Sequence, residues 1–133
     1  MTSTKKLKII ALDIGLKRIG LAFSYDKVVL PLAPILRKNR NQAARDVSDA
    51  IRQREAEILV VGVPLGGASE DEMKRRISHF VSLLEFDGEI FYQDEALSSF
   101  EASGLTKDER DGKFDSIAAM IILKRYIDKT NKV

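Results

Sequence analysis

At 133 residues and 44% hydrophobic content, the chain is long enough to bury most of its apolar surface in one domain without metal or disulfide staples. It has no cysteine and one histidine, which excludes a disulfide framework, a thiolate zinc or iron–sulfur centre and a histidine metal cluster. The formal net charge is only +2, yet residues 1–54 hold 12 Lys or Arg against 4 acids and residues 55–133 hold 10 against 16, a distribution that suits either a basic half tracking a phosphate backbone or an ordinary solvated surface.

The opening segment, MTSTKKLKIIALD, lacks the apolar stretch and cleavage site of a signal peptide, and no run of about 18 apolar residues follows, so the cytoplasm is the expected location and no membrane partner is expected. KLKIIALDI reads as a buried strand, GLKR as a turn and IGLAFSYD as the second strand of a hairpin. A short third strand, KVVLPL, comes next, and Pro34 is expected to break the sheet pattern. Ala44, Val47 and Ile51 then mark the apolar side of a helix over about 41–54. EILVVGV is nearly continuous in apolar residues, as a central parallel strand covered on both faces should be. Ser69 with Glu72 three residues on forms a capping box, opening a helix whose buried stripe is Met73, Ile77, Phe80, Val81 and Leu84.

EIFYQ is the fifth strand. The polar stretch 104–113 reads as a mobile loop, and the last helix spans about 114–128 with Phe114, Ile117, Ala118, Ile121 and Ile122 inward. Strands joined through helices pair in parallel, so the expected fold is α/β, a five-stranded mixed sheet of three antiparallel strands and then parallel strands, flanked by helices in a single domain over 1–133.

Acids stand at the ends of otherwise apolar segments in three places: Asp13, the pair Asp94 and Glu95, and Asp115. A carboxylate beside Ile9, Ile10 and Leu12 pays a desolvation penalty unless a partner, a cation or water compensates it. Hard oxygen ligands suit magnesium or manganese, and two such ions about 4 Å apart activate water and stabilise the leaving oxygen in phosphodiester hydrolysis. A nuclease is therefore the leading expectation. Each acid also has an ordinary alternative: Asp13 as a turn residue bonded to backbone amides, and Asp115 as the acid at a helix N-terminus. Asp94 and Glu95 are adjacent, so on a strand they point to opposite faces and only one aims at a site built on the other carboxylates.

ALDIGLKRIGLAFSYD, ILVVGVPLGG, FYQDEALSS and GKFDSIAAMIIL, in that order over nearly the whole chain, resemble the YqgF family of Holliday-junction resolvases, also described as pre-16S rRNA nucleases, which have a ribonuclease-H-like fold. The resemblance implies that Asp13, Glu95 and Asp115 are the catalytic residues and metal ligands for Mg2+ or Mn2+, with Asp94 a supporting acid. It implies a nucleic-acid substrate, precursor rRNA first and branched DNA second. The family places arginine directly after Asp-Glu, where this chain has Ala96. The hydroxyl positions that follow are Ser98 and Ser99, and the loop GVPLGGASED looks shorter than is common.

Lys17, Arg18, Lys107, Arg110 and Lys113 are the candidates for holding the phosphate backbone, with solubility as their ordinary role. Gly66 and Gly67 suggest a phosphate cradle, but Glu70, Asp71 and Glu72 in the next turn would repel a phosphate. His79 lies off the apolar stripe and is assigned no catalytic role. DIGLKRIG also resembles the first phosphate loop of actin-like ATPases and sugar kinases, which need a second domain that 133 residues do not supply. A nucleic-acid-binding module without catalysis is consistent with Ala96, and the sequence leaves the oligomeric state, monomer or weak homodimer, open.

Overall fold

The computed structural model describes residues 7–26, 28–63, 70–94 and 113–131. Five strands, β1 (Ile9–Ile14), β2 (Arg18–Tyr25), β3 (Val28–Leu36), β4 (Ile58–Val63) and β5 (Glu89–Asp94), form one sheet in the order β3-β2-β1-β4-β5. The first three pair antiparallel, whereas β4 pairs parallel with both β1 and β5. Helices α1 (Arg40–Gln53), α2 (Glu70–Ser82) and α3 (Lys113–Asn131) complete the architecture. This is the ribonuclease-H-like mixed sheet expected from the sequence.

Strand alternation divides the core into two layers. Ile10, Leu12 and Ile14 of β1, with Leu59 and Val61 of β4, face α1 and α2, where Val47, Ile51, Ile77 and Phe80 are buried. Ile9, Ala11, Ile58 and Val60 point the other way and meet Ala119, Ile122, Leu123 and Tyr126 of α3. Each large aliphatic side chain so buried contributes on the order of 1.5–3 kcal/mol. That double coverage is why β4 reads as an uninterrupted apolar run. Helix α1 starts where it does because Asn39 and Gln42 form a capping box: the Gln42 N–H donates to Asn39 Oδ1 at 2.7 Å, and the Asn39 N–H donates to Gln42 Oε1 at 3.3 Å. Ser69, the expected cap of α2, lies outside the described residues, but Ile77, Phe80 and Val81 are buried as the stripe required.

Two expectations need correction. Pro34 does not end the third strand, which continues to Leu36. Ile19 pairs with Ile35 and Leu21 with Leu32, so Ala33 and Pro34 together stand opposite Gly20 in a β-bulge on an edge strand. An edge strand with a bulge is where a residue without an N–H can remain in a sheet. The last helix is also rotated from its expected phase. It buries Ala118, Ala119, Ile122, Leu123 and Tyr126, whereas Ile117 and Ile121 are only half-buried. Among the described residues no helix is long and apolar enough to cross a membrane.

Candidate active site

Asp13 is the fifth residue of β1, the middle strand of the sheet, and is half-buried. Because Ile9 and Ala11 pack on α3 whereas Ile10, Leu12 and Ile14 pack on α1 and α2, alternation sends the Asp13 side chain to the α3 face. The turn after it closes through the Gly15 N–H donating to the Arg18 carbonyl at 2.9 Å. A Cβ on Gly15 would lie 2.7 Å from that carbonyl oxygen, so the glycine of the IALDIG segment is a steric requirement of the close approach. A short turn on a paired strand holds the carboxylate at the strand end with little freedom.

Asp115 lies in the first turn of α3, the helix that covers this same face. The neighbouring Ser116 is 1% exposed, and its hydroxyl donates to the Leu32 carbonyl at 2.6 Å. That bond joins the start of α3 to the edge strand β3, so the first helical turn is tethered by a contact 84 residues away in sequence. The sequence reading missed Ser116, whose only signal was a small polar residue inside an apolar run.

The third element is β5. The Phe91 ring meets Tyr126 of α3 with centroids 5.4 Å apart, so Phe91 and, by alternation, Gln93 stand on the α3 face. Tyr92 and Asp94 stand on the other face, lining a cavity with Val63, Lys74 and Ser78 of the α2 side. Asp94 therefore points away from the layer that holds Asp13, while its backbone carbonyl accepts from Arg125 of α3 at 3.3 Å. Gln93 pairs with Gly62, and one step beyond the Leu12–Val61 pair Asp13 is level with that same glycine. Asp13 and Gln93 thus stand two strands apart, about 10 Å between Cα atoms at the usual strand spacing, with a side-chain-free glycine between them. The Gln93 Oε1 atom is buried with no hydrogen-bond partner among the described residues. Such orphaned atoms are rare enough to call for an explanation. Nothing in a single sequence marked Gln93 apart from its place beside the Asp-Glu pair.

Glu95, Lys107 and Arg110 lie outside the described residues, as do Ala96, Ser98, Ser99, Gly66 and Gly67; of Lys113 and Asp115 only the helical backbone is described. Among the described residues no group of three His, Cys, Asp or Glu side chains gathers to hold a metal. The donors that are described, a carboxylate at Asp13 and an unpartnered amide oxygen at Gln93, are both hard oxygen ligands of the kind magnesium and manganese take. Lys17 is exposed on the β1–β2 turn, where its carbonyl accepts the Arg37 N–H at 2.9 Å, and Arg18 is half-buried at the start of β2. Both lie at the same end of the sheet as Asp13.

A mixed sheet in this order with helices on both faces defines the class: the ribonuclease-H-like fold of junction resolvases. The structure of T. thermophilus RuvC in complex with Holliday junction substrate matches over 92% of this chain and 94% of that one, with a TM-score of 0.60 at 10% identity. Residues 7–129 match the RuvX family, described as Holliday junction resolvase, and the chain belongs to that family. It is 57% identical over 126 residues to a protein of Sulfurimonas denitrificans named "Putative pre-16S rRNA nuclease", covering 91% of this chain and 97% of that one. A Campylobacter lari protein with the same name is 52% identical over 128 residues, covering 93% and 100%.

Proposed function

We propose that this chain is a metal-dependent nuclease of the cytoplasm that hydrolyses phosphodiester bonds in structured nucleic acid, and that its task is maturation of the 5′ end of pre-16S rRNA. The observation that carries the reading is the placement of Asp13 at the end of the middle strand, on the sheet face covered by the helix that bears Asp115. Magnesium or manganese would be held by Asp13, Glu95 and Asp115, and such ions supply an activated water and stabilisation of the departing oxygen.

The chain's own residues do the rest. A carboxylate on a strand paired on both sides needs no reorganisation on meeting substrate, which is the condition for effective electrostatic stabilisation. Ser116 holds the first turn of α3 against β3 and so keeps the acid beside it in place. Lys17 on the exposed turn and Arg18 next to it would meet the phosphate backbone as it reaches Asp13, and Lys107, Arg110 and Lys113 would be further contacts. The names of the relatives support rRNA as substrate; the family description supports a second reading, resolution of branched DNA junctions.

The test is incubation of precursor rRNA and of a four-way DNA junction with the protein, with and without magnesium. Cleavage of the rRNA alone, dependent on the metal, is the expected result. Cleavage of the junction in preference selects the second reading, and no metal-dependent cleavage of either rejects the nuclease.

A further inference from the structure

Across the sheet from Asp13, on the α1/α2 face, lies a cavity of about 420 Å³. Its floor is Ile14, Gly15 and Phe80, and its walls carry four guanidinium groups and an imidazole, those of Arg37, Arg40, Arg75, Arg76 and His79. None of the described lining residues is acidic. Arg76 is paired with Glu72 of its own helix at 2.7 Å. Arg40 and Arg75 make no ion pair among the described residues; the Arg40 Nη1 atom lies 3.3 Å from His79 Nε2, a contact that is favourable only when that ring nitrogen accepts.

Arg37 anchors the arrangement. Its Nη1 donates to the Gly15 carbonyl at 2.7 Å, and its guanidinium sits 5.1 Å above the Phe80 ring. Burial, and secondly the charge of Arg40, hold this guanidinium below its ordinary pKa. Like charges drawn together around a concave wall, with Glu72 offsetting Arg76 alone, raise the free energy of the unliganded protein, and an anion of matching size relieves it.

We propose that this cavity is a phosphate subsite that grips the backbone of the same nucleic-acid strand whose scissile bond lies at Asp13. Ile14 and Gly15 line the cavity, and Asp13 is the residue before them, so the two sites sit on opposite faces at one end of the sheet. The strand would turn over that end at Leu16 and Lys17, both exposed, with the acids on one side and the arginines on the other.

The inference takes the strand to be the substrate of the nuclease proposed above, and its test measures binding alone so that the two can fail separately. The variant is Arg40→Gln with Arg75→Gln, since neither side chain supports the core; Arg37 is left intact because it braces Gly15 and Phe80. Lys124→Gln with Lys129→Gln, exposed on α3, is the control of equal charge loss. Fluorescence anisotropy with a labelled RNA hairpin and a DNA junction, with calcium replacing magnesium, is recorded across a salt titration, and circular dichroism verifies the fold of each variant.

The arginine pair should weaken binding tenfold or more and lower the logarithmic salt slope by about 1, the contribution of one phosphate contact, while the lysine pair changes both little. Losses no greater than those of the lysine pair overturn the subsite. A parent that binds but does not cut rejects only the nuclease, and a parent that binds neither ligand rejects both.

Discussion

Ser116→Ala should harm activity more than stability. The hydroxyl is 1% exposed and spans from α3 to the Leu32 carbonyl at 2.6 Å. A net intramolecular hydrogen bond contributes about 0.5–1.5 kcal/mol, and leaving a buried acceptor unmet adds to the loss. Because the Leu32 carbonyl lies near an edge where water can in part replace the lost donor, a total of about 1–2 kcal/mol is expected. With an unfolding entropy of roughly 2.1 cal/mol/K per residue, that is a fall in Tm of about 4–7 °C for a chain of this length. The protein therefore stays folded at 25 °C. The first turn of α3, however, loses the contact that fixes its position against β3, and misplacement of a reacting group by about 1 Å costs on the order of 100-fold in rate. Urea unfolding and single-turnover cleavage of the preferred substrate should be measured on the same preparation. Ser116→Thr, which restores a hydroxyl, should recover part of the rate. A variant that loses the expected stability but cleaves at the parent rate would show that the first turn of α3 has no part in the site.

Asp13→Asn keeps the shape of the side chain and removes its charge, so metal-dependent cleavage should disappear while Tm moves by no more than a few degrees; cleavage at the parent rate refutes the ligand assignment. Gln93→Met replaces an orphaned buried oxygen with an apolar chain of similar length, and should stabilise the protein by about 1 kcal/mol in urea while slowing cleavage, a trade-off absent if the amide is only structural. The Tyr126 hydroxyl is pushed above its ordinary pKa, first by burial and then by Glu89. Its contribution to stability is fully present below about pH 10 and is lost as pH rises toward the higher folded value, since the unfolded chain ionises first. Tyr126→Phe should flatten the fall of Tm over that window, and an unchanged profile counts against the shift. Lys17→Ala with Arg18→Ala should weaken binding to unrelated sequences by a similar factor in mobility-shift assays at fixed salt, because phosphate contacts do not read bases.

The layers were legible where burial imposes a period. The segment KIIALDI read as a buried strand with Asp13 at its end, and the run ILVVGV announced a strand covered on both sides. The phase of α3 was not legible, because IAAMIIL is apolar around its whole circumference and any rotation buries something greasy. The third strand was cut short by a rule about proline that holds in central strands and lapses at edges. Adjacency led to the expectation that only one of Asp94 and Glu95 could aim at the other carboxylates, but it takes the contact of Phe91 with Tyr126 to decide that Asp94 belongs to the α2 side. The arginine cavity was half legible in sequence: Arg37 and Arg40 belong to the basic half that could track a phosphate backbone, but they are brought to Arg75 and Arg76 by the docking of α1 and α2 on one sheet face, a long-range event that no local pattern records.

The bulged end of β3 makes this border of the sheet a poor template for a further strand. A border strand carrying exposed Val28, Leu30 and Leu36 offers a surface on which another chain's strand can polymerise. Pro31 and Pro34 remove two donors from its outer row, and the extra residue opposite Gly20 breaks the even spacing that a docking strand would have to match. An incoming strand finds greasy side chains without a continuous ladder of N–H groups to zip along. The chain can therefore keep an apolar rim on its sheet, close to where α3 is tethered, and still resist growing into fibres from that side.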